Sequence, residues 1–162
     1  MEPTCQELIK ILEEQRENYR QLMDLSVQKH QYLINGDLDE LNELTMQEET
    51  LIFQLGKLEG KREKCFSLLA ELGGFDENFT LQEVLPQLPQ NSQEQLRQIQ
   101  KDFSVLIQDL AKLNEENMLL LEQSLRFVNF TVESISQQSK PLYNAENKVK
   151  VEQLNNILDK KV

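Results

Sequence analysis

Tryptophan is absent, histidine occurs once and cysteine twice, and the 162 residues include only five glycines and four prolines. Each scarcity closes off a class of chemistry. With His30 the sole imidazole there is no Glu-x-x-His pair, and so no ligand set for a di-iron helical bundle. Cys5 and Cys65 stand far apart in sequence and form no Cys-x-x-Cys pair. There is no glycine-rich phosphate loop and no Gly-x-Ser-x-Gly elbow, and no two carboxylates pair on an apolar face. A non-enzyme without cofactor or metal is expected. No stretch approaches the roughly 18 consecutive apolar residues of a spanning helix, so stable membrane insertion is not expected. Positive charge is also short: 17 Lys and Arg face 28 Asp and Glu, a net charge of −11. Such a surface repels phosphate backbones, which argues against nucleic acid as a partner. The start, Met1-Glu2-Pro3-Thr4, has neither the basic region nor the apolar run of a secretory leader. Two isolated cysteines in that context read as reduced thiols of a cytoplasmic protein, although a hairpin of the first two helices would bring them near enough to pair.

What remains is rich in Leu, Gln, Glu, Asn and Lys, a composition that favours helices. From Ser92 to Ser139 there is neither glycine nor proline. Leu96, Ile99, Phe103, Leu106, Leu110 and Leu113 recur at steps of three and four, and the stripe continues through Asn117, Leu120, Ser124, Phe127, Thr131 and Ile135. That is the seam by which helices pack side by side. As one helix the stretch would be about 70 Å long and would need partner helices to cover its stripe.

The first half of the chain supplies two. Thr4 with Glu7 reads as a capping box, and Leu8, Leu12, Gln15, Tyr19, Leu22, Ser26, Lys29 and Leu33 form a seam behind it. Gln15, Ser26 and Lys29 are polar, which suggests a frayed or exposed far end. His30 is expected in solvent. Asn35-Gly36 stops the helix, and Asp37 with Glu40 caps the next, an antiparallel hairpin junction. The second seam runs through Leu41, Leu44, Glu48, Leu51, Leu55, Leu58, Arg62, Cys65, Leu69 and Leu72. Gly56 and Gly60 mark either a close helix approach or, more plainly, glycines tolerated on an exposed face. Gly73-Gly74 ends the helix. Thr80 with Glu83 reads as a capped short helix stopped by Pro86 and Pro89, and its apolar residues suit a plug over the end of the hairpin. Ser92 reads as the cap of the long helix.

Lys140-Pro141 breaks that helix. Beyond it, residues 141–162 carry four cations against three anions, and they are not acidic. Val149, Leu154, Ile157 and Leu158, with Val151 to one side, give a weak amphipathic pattern that is marginal as an isolated helix. Such a segment can order in a partner's groove. The expected fold is all-α: an antiparallel three-helix bundle or coiled coil over residues 1–140, with helices at about 4–34, 38–72, 81–85 and 93–139. The third helix is long, the connector is short and helical, and a flexible amphipathic partner-binding tail covers 141–162. Asn117 falls on the core stripe, where a buried Asn fixes register.

Four stretches resemble the FlgN family of flagellar export chaperones. They are Tyr19-Arg20-Gln21-Leu22-Met23-Asp24-Leu25-Ser26 with the Gly36-Asp37-Leu38-Asp39-Glu40-Leu41 turn, then Glu59-Gly60-Lys61-Arg62. The third runs from Asn114-Glu115-Glu116-Asn117-Met118-Leu119-Leu120-Leu121-Glu122-Gln123-Ser124-Leu125 on to Phe130, and the fourth is Leu142-Tyr143-Asn144-Ala145-Glu146. Near the last, where the family often has glycine, this chain has Asn147. The resemblance implies a cytosolic chaperone, itself using no ATP. It would bind the C-terminal helical regions of flagellar hook-associated (hook–filament junction) proteins, prevent premature assembly and deliver them to the export gate of the flagellar type III secretion apparatus. On that basis the cargo-binding set is Phe130, Val149, Val151, Leu154, Ile157 and Leu158. Phe127, on the seam, reads as bundle core. Phe130, off it, reads equally as core or contact. Tyr143, beside the helix break, is either an anchor for the export gate or packed on the bundle end. Two other readings stand beside this one: a structural coiled-coil protein that oligomerises through its long helix, and a type III chaperone with a different cargo.

Overall fold

The computed structural model describes residues 1–76 and 78–138. They form four α-helices: α1 (Glu2–Asn35), α2 (Leu38–Gly73), the one-turn α3 (Leu81–Val84), which runs on as a 3-10 turn over Leu85–Gln87, and α4 (Gln90–Gln138). The chain divides into two compact units, Met1–Glu115 and Glu116–Val162.

The first unit is an up-down-up bundle. Helix α1 starts at Glu2, before Thr4, because Pro3 needs no N–H partner in a first turn, and the Met1 carbonyl accepts the Cys5 N–H at 2.9 Å. It ends at Gly36, whose φ of 78° suits a residue without a Cβ, with the Gly36 and Asp37 amides both donating to the Tyr32 carbonyl. Asp37 occupies the N-cap of α2, but its side chain makes no capping bond, so the expected box with Glu40 is not formed. At the other end of α2, Gly74 (φ 67°) turns the chain back. The Phe75 ring then lies where a Cβ on Gly73 would be, so both glycines are required there.

Contacts fix the directions. Gln15 meets Glu59 and Lys29 meets Glu48, so α2 runs antiparallel to α1. Gln6 meets Ser92, Arg16 meets Asp102 and Ser26 meets Asn114, so α4 runs parallel to α1 in a steady register. Ser92 is not the cap of α4, which begins two residues earlier, directly after Pro89. Buried instead, its hydroxyl donates to Glu2 Oε1 (3.1 Å) and accepts from Gln6 Nε2 (3.0 Å), tying the start of α1 to the start of α4.

Among the described residues the core has three clusters. Cys5 and Ile9 of α1 pack with Leu96 and Ile99 of α4 and with Val84, Leu85 and Leu88 of the connector. Leu8 and Ile11 pack with Leu58, Cys65 and Leu69 of α2. Leu25 packs with Leu44 and Leu51 toward the hairpin bend. Phe79 stacks on both Phe66 and Phe75, at 5.4 and 5.2 Å, so the connector covers the end of the hairpin. Glu83 holds the connector turn by accepting from the Thr80 amide (2.5 Å) and hydroxyl (3.0 Å), bonds that lower its carboxyl pKa. Cys5 and Cys65 are both buried and unbonded to each other, and burial pushes both thiols up, the behaviour of core thiols rather than reactive ones.

The polar seam positions of α1 do not mark an exposed end. Gln15 and Ser26 are buried and Lys29 is half-buried, and each finds a partner across the interface. Gln15 donates to Glu59 (3.1 Å), which also accepts from Arg62 Nε (2.8 Å). Ser26 donates to Asn114 Oδ1 (3.1 Å), and Lys29 pairs with Glu48 at 2.6 Å. A buried polar group tolerates its site when hydrogen-bonded, which is why these positions fit inside. His30, expected in solvent, is half-buried. Gly56 and Gly60 face open space: a Cβ on either would meet nothing within 4 Å, as the plainer reading held.

Candidate partner-binding surface

The described part of the second unit is the stretch 116–138 of α4. Leu, Glu and Gln favour the helix, and no glycine or proline interrupts it. Its hydroxyl residues are absorbed by the backbone: Thr131 Oγ1 donates to the Phe127 carbonyl (2.9 Å) and Ser134 Oγ to the Phe130 carbonyl (2.8 Å), the usual way such residues sit inside a helix.

This stretch displays large apolar side chains. Phe127 is 70% exposed, Phe130 68%, Ile135 61% and Leu119 53%. Phe127 was expected in the core because it lies on the stripe, and that expectation fails. Periodicity assigned it to an apolar face, but the face lacks cover at this point. Phe130 is exposed, as a contact residue must be. Spaced three apart, the two rings share one side of the helix. Phe53 of α2 is also exposed, yet the Lys57 ammonium lies 4.4 Å over its ring. Among the described residues no cation covers Phe127 or Phe130. Burying one such ring is favourable by about 1.5–3 kcal/mol. Two exposed rings one turn apart, with Phe127 on the charge-free side, make an apolar patch of the kind that favours an apolar partner.

The other sequence-predicted positions, Val149, Val151, Leu154, Ile157, Leu158 and Tyr143, lie outside the described residues. Asn117 is buried on the stripe, and Asn114 accepts from the buried Ser26. The groove of about 400 Å³ between α1 and α2 is lined by Gln21, Asp24, Leu25, Gln47, Thr50 and Leu51. Among the described residues no cluster of His, Cys, Asp and Glu could hold a metal ion, and no helix is long and apolar enough to cross a membrane.

An all-α bundle with an uncovered apolar helix suits many interaction proteins, and comparison with known families narrows the choice. The FlgN family model, described as FlgN protein, matches residues 1–161. The chain belongs to the FlgN family. It is thus a flagellar chaperone by family, and that family is not one of enzymes. The chain is similar to an uncharacterized protein, YvyG, of Bacillus subtilis (strain 168), with 26% identity over 117 residues, 72% of this chain and 71% of that one. No solved structure matches. For this FlgN-family chain, sequence reasoning placed Phe127 in the core and so missed its exposure. The signal that finds it is local. From Ser124 onward the stripe alternates hydroxyl and apolar residues (Ser124, Phe127, Thr131, Ile135), unlike the nearly unbroken apolar run from Leu96 to Leu113.

Proposed function

We propose that this chain binds the C-terminal helical regions of flagellar hook-associated proteins, those of the hook–filament junction. It keeps them from assembling early and delivers them to the export gate of the flagellar type III apparatus, working in the cytoplasm. The observation that carries the reading is the exposure of Phe127 and Phe130 on a helix of a FlgN-family chain. Subunits that assemble through helical ends expose apolar stripes beforehand, and a chaperone helix with its own uncovered apolar side can shield them.

In this reading residues 1–140 form the scaffold and 141–162 a partner-binding tail. Val149, Val151, Leu154, Ile157 and Leu158 extend the cargo surface begun by Phe130, now joined by Phe127, and Tyr143 docks to the gate. The test is a calorimetric titration of the full chain, and of a variant lacking residues 141–162, with a purified hook–filament junction protein. Tight one-to-one binding that weakens strongly without the tail is expected, with melting of the truncated chain nearly unchanged. Binding by neither form contradicts the reading, and unfolding of the truncated chain contradicts the scaffold–tail division. Tyr143→Ala should keep cargo affinity and weaken gate docking, and loss of cargo binding in that variant moves Tyr143 into the cargo surface.

The exposed rings also suit a coiled-coil protein that oligomerises through its long helix. Light scattering of the free chain separates the two: a monomer that turns into a one-to-one complex is the chaperone outcome, and a stable oligomer dissociated by Phe127→Ala is the other.

A further inference from the structure

Between Asn117 and Gln138 the chain has only three charged residues, Glu122, Arg126 and Glu133, and all three are exposed. Their spacings of four and seven place them along one edge of the helix. Phe130 lies beside that edge, four residues after Arg126 and three before Glu133, while Phe127 lies on the charge-free side next to it. Among the described residues none of the three is held in an ion pair. An apolar helix side bordered by one row of charges is the arrangement by which paired helices choose partners: the apolar rows pack, and the flanking charges set which helix fits and in which register.

Resting on the chaperone reading for its partner, we infer that the Phe127/Phe130 side takes a helix whose apolar stripe is bordered by a matching row of charges. That row has two basic residues about three turns apart, facing Glu122 and Glu133, with an acidic residue between them facing Arg126. A second copy of this chain does not meet the requirement. In a self-pairing that overlaps the whole edge, parallel or antiparallel, Glu122 and Glu133 fall opposite acids, and like charges in register disfavour the pair; a staggered antiparallel pairing sets Arg126 opposite one of the two acids but leaves the other acid unmatched. The net charge of −11 adds a general repulsion between copies and a general attraction for a basic-edged helix.

The test uses the full chain and two synthetic amphipathic helical peptides with identical apolar stripes. One has Lys residues eleven apart with a Glu between them, and the other has the signs exchanged. Stopped-flow association at low and moderate salt is expected to show the first binding about tenfold faster at low salt, the advantage shrinking as salt rises. Glu122→Lys/Arg126→Glu/Glu133→Lys should reverse the preference, and Phe127→Ala/Phe130→Ala should abolish binding of both peptides. Circular dichroism checks that each variant keeps its helicity. Equal rates for the two peptides, a preference unchanged in the charge-exchanged variant, or failure of both peptides to bind overturns the inference. If the wild-type chain ignores hook–filament junction protein yet keeps the peptide preference, the proposed cargo fails and the charge-matched helix stands.

Discussion

Two stretches of α4 share one period and differ in what becomes of it. Over residues 96–113 the stripe is packed: Leu96 is 0% exposed, Ile99 3% and Leu110 9%. Over residues 120–135 it is largely open, with Phe127 at 70% and Ile135 at 61%. The period identifies the side of a helix that favours an apolar partner, but it does not say whether that partner lies in the same chain. In the first stretch the partners are Cys5, Ile9 and the connector residues Val84, Leu85 and Leu88. In the second stretch the rings stay uncovered, and the cargo proposed above is what would cover them.

Substitutions along the stripe put this contrast to the test. Leu96→Ala removes a fully buried side chain and should cost about 2–5 kcal/mol in urea unfolding, whereas Phe127→Ala should change stability by about 0.5 kcal/mol or less. Comparable losses at the two positions would break the comparison. The paired polar seam comes next. Lys29→Met leaves Glu48, 14% exposed, without its cation and should cost about 1–3 kcal/mol, while Lys29→Met/Glu48→Leu should recover most of that. A double variant as unstable as the single one would mean that the pair is not coupled.

The acid limb of the stability curve reports the Gln15–Glu59–Arg62 network. The hydrogen bond from Arg62, outweighing burial, holds the Glu59 carboxyl below its ordinary value. A depressed carboxyl contributes stability that is fully present above its unfolded pKa and lost as pH falls through its folded value. Below about pH 4, Glu59→Gln should therefore lose less stability on acidification than the wild-type chain, while at pH 7 it is the less stable of the two. Parallel acid limbs would remove Glu59 from this role. The smallest effects fall on the open glycines. Gly56→Ala and Gly60→Ala should each stabilise by up to about 1 kcal/mol, since the added methyl meets nothing, whereas Gly73→Ala should destabilise because it overlaps Phe75. Melting temperatures distinguish the signs.

The helices, their antiparallel hairpin and the covering connector were legible in the sequence because each rests on local rules: apolar period, glycine ends and proline breaks. Capping was read less well. Thr4 and Ser92 both fit cap patterns, but Pro3 and Pro89 allow the helices to begin earlier, and Ser92 then serves a contact with Glu2 and Gln6 some ninety residues away. The polar seam residues Gln15, Ser26 and Lys29 read as an exposed end because their partners Glu59, Asn114 and Glu48 lie on other helices. The same distance in sequence hid the fate of Phe127. Glu48 and Arg62 at seam positions of the second helix were the available hint that polar groups pair inside this bundle.

The most direct test of the central claim is calorimetry of Phe127→Ala/Phe130→Ala against a hook–filament junction protein, alongside thermal melting of the free chain. The account predicts an unchanged melting temperature and an affinity weaker by about a hundredfold or more, in keeping with two buried rings. Unaltered affinity, or a melting temperature lowered as far as by a core truncation, would contradict it.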